Sequence, residues 1–268
     1  MTLDKPARNL RPVWIGISLL LAILLAAETI QLYGIIDAQA AIGTDLDYYR
    51  FVAERWLTTG VYYTDQQLAG PYVVQTQVHN LYPPHALYLF VPFLYLPDVL
   101  WWVLPLGLVA YVVWWCRPVA WSWPLLLFIL VLPKSPAQIL FGNTDMWIAA
   151  FVAGGVRWSW PAVLMTFKPS LGFFAVIGIR SRSWWIALAV LTVASAPLIG
   201  TWLQYPTITL NSSAQLAYSL SNLPFHFLPV VAWAVSTRRG SVPMVRWLGY
   251  LLDTGRASGH GRSGQASA

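Results

Sequence analysis

Asp45 and Asp47 stand two residues apart in the run GTDLDYYR, just beyond a long apolar stretch. A carboxylate that faces water at the edge of a bilayer can act as a general base on an acceptor hydroxyl, or ligate a hard cation. The structural alternative is helix capping, because Thr44 or Asp45 precedes a helix-forming segment that begins near Tyr48. The two roles are compatible, since a capping carboxylate is also a positioned one. Further along, FGNTDMW sets Asn143 and Asp145 between apolar runs, and MTFKPS sets Lys168 inside another. Ionisable groups in such surroundings are costly unless partnered or wet, and they tend to mark functional sites. Lys168 has two readings: a point charge facing a phosphate, or half of an ion pair with Asp145 or Glu28. In LYPPHALY two prolines set the angle at which the chain enters its next segment. His79 and His85 flank them at a spacing that does not put two ligands on one helix face, so metal ligation is not expected there.

The elements that must position these residues belong to a membrane. The chain of 268 residues is 57% hydrophobic and only 10% charged, against about 25% charged in a soluble domain. Sixteen Trp and 13 Tyr fit aromatic belts at two interfaces, and also fit surfaces that stack sugars or pack lipid tails. The net charge of +6 comes from basic residues at segment ends, where they set topology, and is not a nucleic-acid signal. A single cysteine, Cys116, rules out an internal disulfide or a cysteine metal site.

Eight apolar segments are candidate spans, at about 13–35, 84–97, 99–116, 119–133, 137–156, 161–179, 184–201 and 224–236. The first is too long for a signal-peptide core and is read as a retained helix. Lys5, Arg8 and Arg11 precede it, which predicts a cytoplasmic N-terminus. Alternation then places Lys134, Arg180, Arg182, Arg238, Arg239 and Arg246 inside, and Arg50, Arg55, Arg117 and Arg157 outside. The result is one transmembrane domain over 1–251, with an extracytoplasmic loop at 37–83, a second outer loop at 202–223, and a disordered cytoplasmic tail at 252–268. The polar island runs from Gly43 to roughly Pro84 and holds Asp45, Asp47, Arg50, Glu54, Arg55 and Asp65. Within it DYYRFVAERWL reads as an amphipathic helix, with Tyr49, Val52, Ala53 and Trp56 on one face. Arg50 and Glu54 are spaced to pair on another. The rest of the island reads as loop, with a short strand pair around Gly70 and Pro71.

The order GTDLDYYRFVAERWLTTGVYY, NLYPPHALYLFVPFLYLP, GNTDMWIAAFVAGG and LMTFKPSLGFF resembles glycosyltransferase family 87, over about residues 13–215. The shared features are an Asp followed by an apolar residue and a Tyr (Asp45, Leu46, Tyr49), a Gly and Tyr element (Gly60, Tyr62), Tyr-Pro-Pro before a span, a Gly-Gln-like motif, and Lys-Pro inside a later span. Trp202 and Asn211-Ser212-Ser213 add a looser likeness. Asn143 stands where the family usually has glutamine, and Asp145 where asparagine is common. Members usually continue with further spans, so the chain reads as a short variant, a truncated gene product or an inactive relative.

The resemblance implies an all-α, GT-C-like polytopic helical bundle of about eight spans in the cell membrane, with the active site extracytoplasmic. It implies inverting transfer of mannose or a similar sugar from a polyprenyl-phosphate donor to a glycan or lipid acceptor. Asp45 would be the base, with Asp47 beside it. Lys168 and Arg50 are candidates for the donor phosphate. Asp47, Tyr49, Tyr82, His85, Asn143 and Asp145 would line the sugar or acceptor pocket. No cofactor is expected, and no metal, with a divalent ion at Asp45 and Asp47 as the alternative. The partners would be the bilayer, the lipid-linked sugar and the glycan or glycolipid acceptor, with no nucleic acid. Two other readings stand beside it. One is a truncated, non-catalytic membrane subunit. The other is a lipid or solute transporter using Glu28, Asp145 and Lys168, against which the large polar island and the lack of inverted repeats both count.

Overall fold

A computed structural model of the protein describes residues 11–74, 78–213 and 223–236. The tail at 252–268, the basic residues Lys5, Arg8, Arg238, Arg239 and Arg246, and most of the non-helical part of the second outer loop lie outside the described residues. Among those described, every regular element is helical. In chain order the α-helices are α1 (Arg11–Ala38), α2 (Thr44–Thr59), α3 (Asp65–Ala69), α4 (Leu87–Phe90), α5 (Val99–Cys116), α6 (Trp123–Val131), α7 (Lys134–Phe141), α8 (Asp145–Trp158), α9 (Arg182–Ser195), α10 (Ile199–Asn211) and α11 (Leu223–Ala234). Tight 3-10 turns flank α4, and two longer 3-10 segments, Trp160–Phe167 and Pro169–Val176, follow α8.

Among the described residues three helical stretches are long and apolar enough to cross a membrane: Arg11–Ala38, Val99–Cys116 and the continuous Arg182–Asn211. A fourth is added if α6 and α7, bent by 58°, count as one span. This corrects the expected eight, and the reason lies in proline. Pro84–Leu94 is a short 3-10, α, 3-10 sequence with Pro84 and Pro92 at its turns, far below the roughly 20 residues needed to span. The run at 161–179 is broken at Lys168, whose extended backbone (φ −128, ψ 86) is imposed by Pro169. The chain turns back there.

Those two breaks reverse the expected sorting of charges. Gly43, just past α1, donates its N–H to Leu140 O at 2.9 Å, so α1 and α7 end together. Lys134 shares a small hollow with Asp145. At the other end, Arg157 lies over the Trp115 ring, and Gly178 packs on Ser159. Arg117, Arg157, Arg180 and Arg182 therefore gather at one end of the bundle, and Lys134 lies at the opposite, Asp145 end. Alternation over eight spans had split the arginines and placed Lys134 among them.

The core sits between α2, α4, α5 and α8. Tyr49 stacks on Phe90 at 4.7 Å and 7°, Phe93 meets Trp101 edge-on at 4.8 Å, and Trp101 touches Trp147. The amphipathic face of α2 is as expected: Tyr49, Val52 and Ala53 are buried and Trp56 packs beside them. α1 is different, apolar all round with only Ile36 buried, as suits a helix facing lipid. Among the described residues no strand pair forms near Gly70. Tyr72 instead bridges to Ser212, its N–H donating to Asn211 O at 3.0 Å. The expected outer loop also starts later, because 202–211 continues as α10.

Gly178 has φ +83, and a Cβ there would lie 2.5 Å from Ser159 Cβ. Gly178→Ala combines backbone strain with a clash and is expected to cost about 2–3 kcal/mol. Gly172→Ala, where a Cβ meets nothing within 4 Å, is the matched control. A melting temperature equal in both variants would contradict this packing.

Candidate functional site

The site forms where the start of α2, the α7–α8 turn, the Lys168 break and the start of α11 converge. The α7–α8 turn is held firmly. Gly142 takes the left-handed conformation (φ +75), with Leu46 and Trp102 so close that a side chain there would press on both. The orphan carbonyls at the end of α7 are satisfied from α5: Trp101 Nε1 donates to Gly142 O and Trp102 Nε1 to Ile139 O, each at 2.7 Å. This fixes the segment Asn143-Thr144-Asp145.

Asn143 Nδ2 donates to Asp45 Oδ2 at 2.6 Å, and Asn143 Oδ1 accepts from the Asp145 N–H at 3.0 Å. Asp145, 1% exposed, pairs with Lys168 Nζ. His226 Nε2, fully buried, lies 3.3 Å from the same Asp145 oxygen. Beside this chain, Tyr82 and Thr144 share a 2.6 Å hydroxyl contact and Tyr49 reaches Tyr82 at 3.2 Å. Tyr63 donates to Tyr82 O at 2.9 Å and Tyr62 to Pro83 O at 3.2 Å, so the polar island clamps the Tyr-Pro-Pro turn.

Of the residues expected from the sequence, Asp45, Tyr49, Tyr82, Asn143, Asp145 and Lys168 come together. Three do not join them. Asp47 is exposed, on the far side of α2 from Asp45. Arg50 turns away from Glu54: its Nε donates to Phe93 O at 2.6 Å and its Nη2 pairs with Asp98 at 2.5 Å. That leaves it engaged in tying α2 to the start of α5. His85 is buried against Trp202, stacked at 5.2 Å, with Nε2 3.1 Å from Thr166 Oγ1. Burial pushes its pKa down to about 4, so it stays neutral at physiological pH. The capping role expected of Thr44 or Asp45 is also absent. The helix starts one turn earlier, Gly43 occupies the cap, and no side chain caps it. For Lys168, the ion pair with Asp145 is the arrangement found, and Glu28 is not its partner.

Thr144, Thr166 and His226 escaped the sequence reading. His226 left the clearest signal, a histidine in the apolar run LPFHFLP. Among the described residues no group of three or more His, Cys, Asp or Glu side chains is placed to hold a metal ion.

Burial raises the Asp45 pKa above its ordinary 3.8, opposed by the Asn143 hydrogen bond and raised further by the Asp145 charge. The start of α2 therefore presents a carboxylate that is partly desolvated yet held by a single amide from the α7–α8 turn. Comparison with protein-family models, with curated proteins and with solved structures returns no match.

Two stability outcomes follow from these charges. A carboxyl whose folded pKa is raised contributes stability at low pH that is lost as pH rises through the raised value. Asp45→Asn should therefore melt at or above the wild type at pH 7, with the gap closing as pH falls towards 3.8. A lower melting temperature for Asp45→Asn at pH 7 would refute this. Lys168→Met strands the buried Asp145 carboxylate and should cost about 3–5 kcal/mol, most of it recovered by adding Asp145→Asn. Simple additivity of the two losses in thermal unfolding would show that the pair is not coupled.

Proposed function

We propose that this protein is a membrane glycosyltransferase that moves a sugar, mannose or similar, from a polyprenyl-phosphate donor to a glycan or lipid acceptor, with Asp45 as general base. The N-terminus is cytoplasmic in this reading and the Asp45 side faces away from the cytoplasm at the cell membrane. The observation that carries it is Asp45 itself: a carboxylate raised by burial, on the first turn of a polar helix, held by Asn143 next to a buried lysine–aspartate pair. Desolvation of that kind opposes stability and is characteristic of working bases. The order of motifs shared with glycosyltransferase family 87 supports the same assignment.

The chemistry is an in-line displacement. Asp45 takes the proton of the acceptor hydroxyl as its oxygen attacks the anomeric carbon. The bond from that carbon to the phosphate oxygen breaks, its electron pair leaves with the phosphate, and configuration inverts. A cation near the phosphate stabilises the charge that develops. Lys168 and Arg50, the residues expected for this, already face Asp145 and Asp98. Lys134 is better placed, being exposed on the hollow that Asp145 also borders. Phe225 lines both that hollow and an apolar groove of about 440 Å³ between α1, α5, α6, α7 and α11. Leu25, Leu106, Val113, Leu130 and Ile139 are among the groove's walls, which suit an isoprenoid chain whose phosphate rests beside Lys134.

In proteoliposomes supplied with polyprenyl-phosphate mannose and a mixed glycolipid acceptor pool, Asp45→Asn should lose about 10²–10⁴-fold in transfer rate while remaining folded. Lys134→Ala should raise the donor KM more than the acceptor KM. Wild-type transfer by Asp45→Asn would overturn the assignment, and loss confined to Asp47→Asn would move the base to Asp47.

A further inference from the structure

Among the described residues, the end of the bundle remote from Asp45 carries charge of one sign. Arg117 follows the last residue of α5, Arg157 lies in the last turn of α8, and Arg180 and Arg182 flank the start of α9. The Gly178–Ser159 contact brings the last two beside Arg157, and the Trp115 ring links Arg157 to the Arg117 end of α5. Among the described residues no Asp or Glu belongs to this end. Glu28 and Asp37 lie in the second half of α1, and the others lie on α2, on α3 or at the starts of α5 and α8. Asp98 and Asp145 stand at the starts of the very helices that finish near Arg117 and Arg157, about 28 Å and about 18 Å away along the axes.

Two further observations point to what faces this end. Trp114, Trp158, Trp160 and Trp185 are exposed around it, as in an interfacial belt at headgroup level. The Arg157 guanidinium lies over the Trp115 and Trp158 rings, at 4.5 and 5.3 Å, and its buried Nε has no hydrogen-bond partner. A buried donor on a cation held flat by two rings is ready for an anionic acceptor from outside the chain. A guanidinium fork matches the paired oxygens of a phosphate.

We propose that this end is a docking surface for anionic phospholipid headgroups, with Arg157 donating to a headgroup phosphate and Arg117, Arg180 and Arg182 supplying the surrounding field. The leaflet it faces is the anionic one, which orients the protein in the bilayer independently of any transfer activity. The surface is far from Asp45, so its occupancy is readable in a catalytically dead protein.

The test uses the full chain, purified in neutral detergent and titrated with phosphatidylglycerol or phosphatidylcholine. Retained lipid is counted by native mass spectrometry and stability is followed by melting temperature. Phosphatidylglycerol should be retained and stabilising where phosphatidylcholine is not. Arg157→Gln and Arg182→Gln should each weaken it about fivefold. Arg157→Lys should fall between, having charge without the fork. Arg182 is exposed, so Arg182→Gln remains informative if Arg157→Gln fails to fold. Equal retention of the two lipids overturns the proposal, as does undiminished phosphatidylglycerol binding by Arg182→Gln. Stabilisation by inorganic phosphate as strong as that by phosphatidylglycerol also overturns it, in favour of a free-phosphate site.

Discussion

The buried Asp145 carboxylate is the constraint on which the rest depends. A charge that is 1% exposed inside an apolar bundle persists only if partners reach it. Those partners, Lys168 and His226, come from segments far apart in the chain. Bringing them in requires α8 to start at this level, the chain to double back at Lys168, and α11 to enter beside both. The same requirement places Asn143 where one face of its amide meets the Asp145 N–H and the other meets Asp45. A structural ion pair and a candidate reactive carboxylate are thus two ends of one hydrogen-bonded chain. The ionic and the catalytic readings of Lys168 differ less than they appeared to, because the lysine that neutralises Asp145 also lowers the pKa of Asp45.

Proline decides the direction of the chain at two places. At Pro84 and Pro92 it replaces a span by short turns, and at Pro169 it opens the backbone of Lys168. Each changes the parity of everything downstream. With both in place, the arginines at the ends of α5 and α8 and around the start of α9 fall together, and the carboxylates of the described residues fall on the other side. Charge separation of this kind is what a protein needs to hold one orientation across a polarised membrane.

The polar island works as a clamp as much as a reactive surface. Its tyrosines hold the Tyr-Pro-Pro turn, Gln67 Nε2 reaches Asn80 O at 2.9 Å, and Asn211 Nδ2 reaches Gln67 O at 3.0 Å. Arg50 fastens the other side of α2 to the carbonyl of Phe93 and to Asp98. Asp45 is positioned because its helix is fixed on both flanks, and this rigidity is what a base held by one amide requires.

Composition alone determined that the chain belongs to a membrane, and periodicity found the α2 face, because both depend on how residues sit in a local solvent or on a local helix. The resemblance to glycosyltransferase family 87 also pointed to six residues that meet in space: Asp45, Tyr49, Tyr82, Asn143, Asp145 and Lys168. The pairing of Arg50 was not legible, because a helical neighbour at i+4 competes with Asp98, which only folding brings within reach. Asp47 looked equivalent to Asp45 in the sequence, and only the packing of α2 turned one in and the other out. The span count failed for a similar reason. Apolar length measures whether a segment tolerates lipid, while the direction of the chain depends on where proline breaks it and on which buried charge it must return to meet. Tertiary structure decided those questions, since a buried carboxylate is satisfied by whatever lies near it in space and takes no account of distance along the chain.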